Sequence, residues 1–238
     1  MTDHTDQVVA DLARADAGLS QDGQRAAEML ASVGLTSTAN SVLKVCGRGS
    51  QAASNGAKVC IDSQNVLDAL KYVPELIQSL EEEFAPPLSA AGSAISELGG
   101  LEPSNWTGTG ADAYSRYSDK QSKAATELSA SAIQLASLIR DNLNTAKAHG
   151  RAAESAAVEF ALETVASAIA LIPPATPAGV AGIVAAIVRL CVQMSTIDAE
   201  NKEKIEKLRS DLSKLKSMGP NPGTSVFTSG KWPDKKLY

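Results

Sequence analysis

Two long series of apolar residues at helical spacing constrain this chain more than any other feature. In residues 70–98, apolar side chains recur at steps of three or four residues. A second series covers residues 114–146 with a mean step of about 3.5 residues, the repeat of a helix packed along a partner helix. Residues three and four apart lie on one face of an α-helix, so each series predicts one long amphipathic helix.

The sequence between the two series predicts a tight turn. Gly99 and Gly100 should end the first helix, and residues 101–110 are rich in turn-forming residue types. We therefore expect an antiparallel helical hairpin. Pro86 and Pro87 should bend or break its first helix, because a proline inside a helix removes a hydrogen bond and clashes with the preceding turn.

Composition supports an all-α fold. Hydrophobic residues make up 44% of the chain and aromatic residues only 4%, so the apolar mass is mostly Ala, Leu, Val and Ile. A chain of 238 residues is long enough for one or two domains with a buried core. We expect an all-α protein in which further helices extend the hairpin into a bundle.

The chain is expected to contain four consecutive segments. They are an N-terminal helical segment with a loop (1–62), the helical hairpin (63–149), an apolar hairpin followed by a charged helix (150–218) and a flexible tail (219–238). Within the first segment, the small and polar residues 47–56 predict a loop that could bring Cys46 and Cys60 together. A disulfide and two buried free thiols are both compatible with this pattern.

The third segment contains a charge-poor apolar hairpin at residues 165–192, interrupted at Pro173 and Pro174. Its apolar pieces are shorter than the roughly 18 to 20 residues that a transmembrane helix needs. Because Ala and Gly are abundant where lipid-facing helices are usually richer in Leu and Phe, a buried core hairpin is favoured. The charged helix at 198–216 is similar to a solvated coiled-coil helix.

Several function classes are disfavoured by charge and residue spacing. A net charge of -5 with 22 dispersed basic residues argues against a nucleic-acid partner. The acidic N-terminus does not have the pattern of a cleaved signal peptide. Cys and His are too far apart for a metal site, and His149 is interpreted as a residue near a helix C-terminus. We expect no enzyme, no metal and no cofactor.

One aromatic residue of the predicted turn points to a function. Trp106 gains about 1.5 to 3 kcal/mol or more from burial, so its position at a hairpin tip needs a reason. Either it packs back on the helix ends while Gly108 supplies a permissive backbone, or it is a recognition element at the end of a rigid rod.

These residues carry a resemblance to a known family. The Trp106-Thr107-Gly108 turn, with Tyr114 early in the second helix, resembles the WxG proteins exported by type VII (ESX) secretion systems of actinobacteria. The long second helix and the proline-broken, Ala-rich segment after it are similar to the larger ESX secretion-associated proteins of mycobacteria. The resemblance covers residues 63–194, and its specific part is about ten residues around Trp106.

The resemblance implies an export signal in two parts. In the family, the Trp-x-Gly turn and a Tyr-x-x-x-Asp/Glu motif lie together at one end of a helical bundle and are read by the secretion ATPase. Here Tyr114, Tyr117 and Tyr72 are not followed by an acidic residue four positions later. The missing half would come from a partner, and the carried-over residues are Trp106, Gly108 and, more weakly, Tyr114.

We therefore expect a non-enzymatic helical protein exported by a type VII secretion system, acting in the medium or cell envelope as a secretion-associated factor or effector. Its partners would be the secretion machinery and a small helical co-secreted protein, or further copies of itself. Two alternatives remain. One is a membrane-active protein that binds a bilayer or forms pores with the apolar hairpin 165–192, and the other is a cytosolic coiled-coil adaptor that docks through residues 198–216.

Overall fold

The computed structural model describes residues 2–100 and 107–218, and all regular structure in these residues is helical. The predicted all-α class is confirmed, and the architecture is that of a helical bundle. The helices are α1 (Thr2–Ser32), α2 (Thr36–Ala69), α3 (Val73–Gln78), a π-helical segment (Ser79–Phe84), α4 (Ala85–Gly100), α5 (Thr109–Ile169) and α6 (Thr176–Met218). The predicted tail, 219–238, lies outside the described residues.

The helices form two compact units. Of the described residues, the first unit contains those up to Leu70 and Thr145–Glu203, and the second contains those of Lys71–Asn144 and of the chain from Lys204 to the end of α6. These boundaries differ from the four consecutive segments expected from the sequence. The reason is that α5 is a single helix of 61 residues, and its two halves belong to different units.

The first unit is built from α1, α2, the second half of α5 and the first part of α6. Phe160 of α5 and Leu12 of α1 are central to one buried cluster, which also contains Leu190 of α6 and Cys60 of α2. A second cluster joins Leu19, Val42, Leu171 and Ile183, together with other small side chains. Each of the four helical segments therefore buries an apolar face, as in a four-helix bundle.

Contacts along the first unit fix the directions of its helices. The Thr5 hydroxyl donates a hydrogen bond of 2.6 Å to Oε1 of Glu154, and a methyl group at Gly18 would lie 3.9 Å from Cβ of Ala168. Both pairs have nearly the same sequence offset, so α1 and α5 are parallel. The contact of Gly56 with Leu12 and Leu190 places α2 and α6 alongside them.

The loop predicted at residues 47–56 is wrong, because α2 is continuous from Thr36 to Ala69. The small residues there serve close helix packing. A methyl group at Gly49 would lie 2.7 Å from Cδ1 of Leu19, and Gly56 faces Leu12 in the same way. Glycine lowers helix propensity, yet here tertiary packing outweighs that preference.

The continuous helix also removes the expected route to a disulfide. Cys46 and Cys60 are fourteen positions apart on α2, which corresponds to about 21 Å along the axis at the usual helical rise. Both are buried free thiols, as is required when no bridge can form. Of the two possibilities that the sequence left open, the structure contains the pair of buried thiols.

In the second unit, the helix break expected at Pro86 and Pro87 is a change of helical type. The chain adopts a π-helical segment at Ser79–Phe84 and then continues directly as α4. A proline lacks the amide donor that an α-helical hydrogen bond needs, and π segments are a known way to accommodate such a fault within a helix. The chain thus stays helical through the prolines without an intervening loop.

Two hydrogen bonds show that α4 and the first half of α5 run antiparallel. The Ser129 hydroxyl donates to the carbonyl of Ala85 at 2.8 Å, and the Ser122 hydroxyl donates to the carbonyl of Gly92 at 2.7 Å. Arg140 forms an ion pair with Glu81. A hydrogen bond to Glu81 raises the pKa of the Arg140 guanidinium, which is charged at any physiological pH.

Candidate functional site

Trp106 lies outside the described residues, so the first described residues of the predicted recognition turn are Thr107 and Gly108. Gly108 has φ of +102°, in the left-handed region that L side chains rarely adopt. Its carbonyl accepts a hydrogen bond of 3.2 Å from the amide of Asp112 and so begins the hydrogen-bonding of α5. A glycine is therefore required at this position by backbone geometry.

Tyr114 lies in the second turn of α5, on the same helix end as Gly108. Its side chain is 42% exposed, while the neighbouring Ala111 is buried. The residue four positions after Tyr114 is Ser118, which is buried and whose hydroxyl donates to the carbonyl of Ser115. On α5, Ser118 therefore takes the place one turn after Tyr114 where the family motif has an acidic residue.

A surface that the sequence assigned to the core is exposed. We call it the α5–α6 apolar face. It consists of large apolar side chains on the outer sides of the two helices: Leu162, Val165, Ile169, Val184, Val188 and Val192. Leu162 is 68% exposed and Val188 is 56% exposed. The preference for a buried core hairpin at 165–192 is therefore wrong for this face, although Ile183 and Leu190 on the opposite side of α6 are buried.

By length and composition, α6 can cross a bilayer. An 18-residue window in Thr176–Lys214 has a mean hydropathy of 1.9, and only 17% of that window is buried in the protein. The expectation that the apolar pieces are too short for a membrane span is therefore corrected for α6, on length and composition alone. A shallow groove on α6 is lined by three valines, two alanines and two polar side chains: Val184, Val188, Val192, Ala181, Ala185, Arg189 and Gln193.

Charge is absent from the tip of this helical pair. Residues 164–188 contain no Asp, Glu, Lys or Arg. The first charged residues on either side are Glu163 and Arg189, and these two form an ion pair between α5 and α6. Gln193 adds a hydrogen bond of 3.0 Å to Glu159 one turn further from the tip. The uncharged part of the hairpin therefore ends at an ion pair in which the charges of Glu163 and Arg189 neutralise each other.

The sequence did contain the signal for this surface. Val184, Val188 and Val192 are spaced four apart, and the buried residues Ala186 and Leu190 fall between them on the other side of the helix. Two apolar faces on one helix exceed what a soluble bundle needs, since an amphipathic helix usually has one. The sequence analysis favours a buried core for this hairpin and keeps membrane binding as the alternative.

His149 is not near a helix C-terminus, so that interpretation is wrong. It lies within α5, its side chain is 15% exposed, and its Nε2 is 3.8 Å from a carboxylate oxygen of Glu200. Its Nδ1 is buried without a hydrogen-bond partner among the described residues. In the part of the chain that the structure describes, no group of three or more His, Cys, Asp or Glu side chains is placed to hold a metal ion.

Two of the three cysteines, Cys46 and Cys60, are buried thiols of low reactivity. Burial raises the pKa of the Cys46 thiol, and burial together with the negative charge of Glu154 raises the pKa of Cys60 to about 11. A thiolate is the nucleophilic form, so both groups are poor nucleophiles at neutral pH. Cys191, on the outer side of α6, is exposed.

No protein-family model, curated protein or solved structure matches the chain. The candidate sites are therefore argued from this chain's own residues.

Proposed function

We propose that this chain is a non-enzymatic helical protein exported by a type VII secretion system. Its role would be that of a secretion-associated factor or effector in the medium or cell envelope. The observation that carries the proposal is the position of Gly108, whose left-handed backbone directly precedes α5 in a Trp-x-Gly sequence. The antiparallel contacts between α4 and α5 support a hairpin closed by that turn.

A co-exported partner is part of the proposal. The chain lacks an acidic residue four positions after Tyr114, so the second half of the signal would be supplied by a small helical protein that carries it. Affinity purification from the native cell, followed by mass spectrometry, should recover such a companion with a Tyr-x-x-x-Asp/Glu motif. Recovery of the chain alone and as a monomer would contradict this part.

Export is tested by comparing the native host with a strain whose type VII secretion ATPase is inactive. The protein should be found in culture filtrate of the first strain and only in cells of the second, while a cytosolic marker stays in cells of both. Equal amounts in both filtrates would contradict type VII export. Retention in the cells of both strains would favour a cytosolic adaptor that docks through the charged part of α6.

A second function is favoured by the α5–α6 apolar face. We propose that this face binds a lipid bilayer, because a window of mean hydropathy 1.9 in α6 is only 17% buried, which leaves a large apolar surface uncovered by the protein. Vesicle flotation tests it. Val188→Glu should reduce flotation with phosphatidylcholine vesicles, and Gln134→Glu, which adds the same charge at an exposed position of α5, should leave it unchanged. Wild-type protein that never floats would contradict membrane binding.

A further inference from the structure

The last turns of α6 have almost no core contacts. Between Lys204 and Lys216 no described side chain is buried, and only Leu208 and Asp211 are half-buried. A helix of this length is marginally stable on its own in water, and helices in proteins are stabilised mainly by packing an apolar face. This stretch of the second unit therefore has an apolar face that its own chain covers only in part.

Positive charge lies beside the apolar residues of this stretch. Ile205 and Leu212 are seven positions apart on α6, and each is 41% exposed. Residues three or four apart share one side of a helix, and the charged residues of the stretch at these steps from Ile205 and Leu212 are Arg209 and Lys216. Neither forms an ion pair with a described residue. We call these four residues the basic face. Residues 204–216 as a whole contain five basic and two acidic residues, which give a net charge of +3.

An acidic counterpart lies on α3 and the π-helical segment of the same unit. Tyr72, Leu76 and Phe84 are large apolar residues with exposed side chains, and Tyr72 is 63% exposed. We call residues 72–84 the acidic face, because its charged residues are all acidic: Glu75, Glu81, Glu82 and Glu83. Glu81 pairs with Arg140, whereas the other three form no ion pair with a described residue.

The acidic face stays negative when the basic residue next to it is counted. The Lys71 ammonium lies 4.8 Å from the centre of the Tyr72 ring. Residues 71–84 then contain one basic and four acidic residues, which give a net charge of -3. The Ser79 hydroxyl donates a hydrogen bond of 2.8 Å to the Glu83 carboxylate, and this neutral donor leaves the negative charge uncompensated.

We propose that two copies of this chain associate, with the basic face of each copy packed on the acidic face of the other. The contact covers apolar side chains on both faces and brings Arg209 and Lys216 opposite the carboxylates. Both faces are exposed in the single chain, so neither covers the other within it. In a dimer with a two-fold axis the contact forms twice, because each copy contributes one basic and one acidic face.

Charge complementarity selects a second copy as the occupant of the acidic face. A helix that covers this face must present apolar and basic side chains on one side, and the basic face has both. Opposite charges favour this pairing, while like charges disfavour the pairing of two acidic or two basic faces. The proposal goes beyond export and membrane binding and depends on neither, so its failure leaves both in place.

Sedimentation equilibrium of the full-length protein tests the proposal over a range of protein and salt concentrations. The 24.6 kDa chain should form a reversible dimer that dissociates more readily at high salt, where exposed charges are screened. The double variants Glu75→Lys/Glu83→Lys and Arg209→Glu/Lys216→Glu should each dimerise at least tenfold more weakly. An equal mixture of the two variants should recover the dimer, because the changed face of each is then complementary to a face of the other.

Two single variants serve as matched controls. Glu97→Lys changes an exposed acid of α4 outside the acidic face, and Lys207→Glu changes an exposed base two positions after Ile205, away from the basic face. Both should dimerise as the wild type does, and circular dichroism establishes that every variant is folded. A wild-type protein that is monomeric at all concentrations overturns the proposal. A dimer that both double variants retain, or a mixture of weakened variants that stays monomeric, also overturns it, because the two faces then do not bind each other between copies.

Discussion

Glu163 of α5 and Arg189 of α6 form the ion pair at which the uncharged tip of the α5–α6 hairpin begins. The side chains are 34% and 54% exposed, so water screens the interaction. We expect Arg189→Met to change the free energy of unfolding by less than about 1 kcal/mol, as is usual for exposed ion pairs. Urea unfolding measures this, and a loss of several kcal/mol would show that the pair holds the two helices together.

Glycine positions in the first unit should respond in opposite directions to alanine. A methyl group at Gly179 would lie 2.6 Å from the carbonyl carbon of Ala170 and 2.7 Å from the amide of Leu171, both backbone atoms that cannot move aside cheaply. We expect Gly179→Ala to destabilise the protein by about 2 kcal/mol or more.

The matched control for that change is Gly47→Ala. Gly47 is in the interior of α2 and has no atom within 4 Å of the added methyl group. Alanine there should stabilise the protein by about 0.5 to 1 kcal/mol, because it reduces the backbone entropy lost on folding. Thermal unfolding of both variants checks the pair. A loss of stability at Gly47 comparable to that at Gly179 would contradict the helical geometry of residues 47–56.

Truncation of the largest fully buried side chain should be costly. Phe160 is 2% exposed and packs in the cluster that joins all four helical segments of the first unit. Phe160→Ala should cost about 3 to 5 kcal/mol. Chemical denaturation gives the value, and a cost near zero would mean that α5 does not pack against α1 and α6 in solution.

Thiol reactivity should distinguish the three cysteines. Cys191 is exposed, whereas Cys46 and Cys60 are buried and have raised pKa values. In the native protein one thiol should react quickly with a disulfide reagent, and Cys191→Ser should abolish that rapid phase. All three should react in denaturant. A rapid phase that survives in Cys191→Ser would show that α2 opens readily.

The raised pKa of Cys60 makes stability depend on alkaline pH. Its thiol shifts from the ordinary value of 9.0 to about 11 on folding, so the folded state favours the protonated form. The resulting stabilisation is complete below pH 9 and is lost as the pH rises to about 11. Wild-type protein should therefore lose more stability than Cys60→Ala over this range in urea titrations. Parallel losses in both proteins would contradict a buried thiol at this position.

The sequence predicted secondary structure correctly where a residue pattern is compatible with only one element. The apolar series at 114–146 predicted a long helix, and α5 contains it. Glycine and proline were less informative, because their effect depends on the surroundings. Gly49 and Gly56 allow close helix contact, although glycine-rich segments usually form loops. Pro86 and Pro87 follow a π-helical segment and do not interrupt the helix with a loop.

The candidate sites also differ in how far the sequence could predict them. The requirement for glycine at position 108 follows from its backbone geometry and agrees with its place in the predicted turn. The α5–α6 apolar face could not be separated from core by hydrophobicity alone, because Val188 and Ile183 differ only in which neighbours cover them. The position expected for His149 is wrong because Gly150 favours a helix end there, whereas α5 continues through it to Ile169.

Export of turn variants tests the central proposal most directly. Trp106→Ala and Gly108→Ala should each reduce the amount of protein in culture filtrate at unchanged cellular levels, the first by removing the recognition side chain and the second by straining the left-handed backbone. Gly110→Ala, an exposed neighbour with open space around it, should be exported as the wild type is. Full export of Trp106→Ala would contradict the proposal that this turn is read by the secretion machinery.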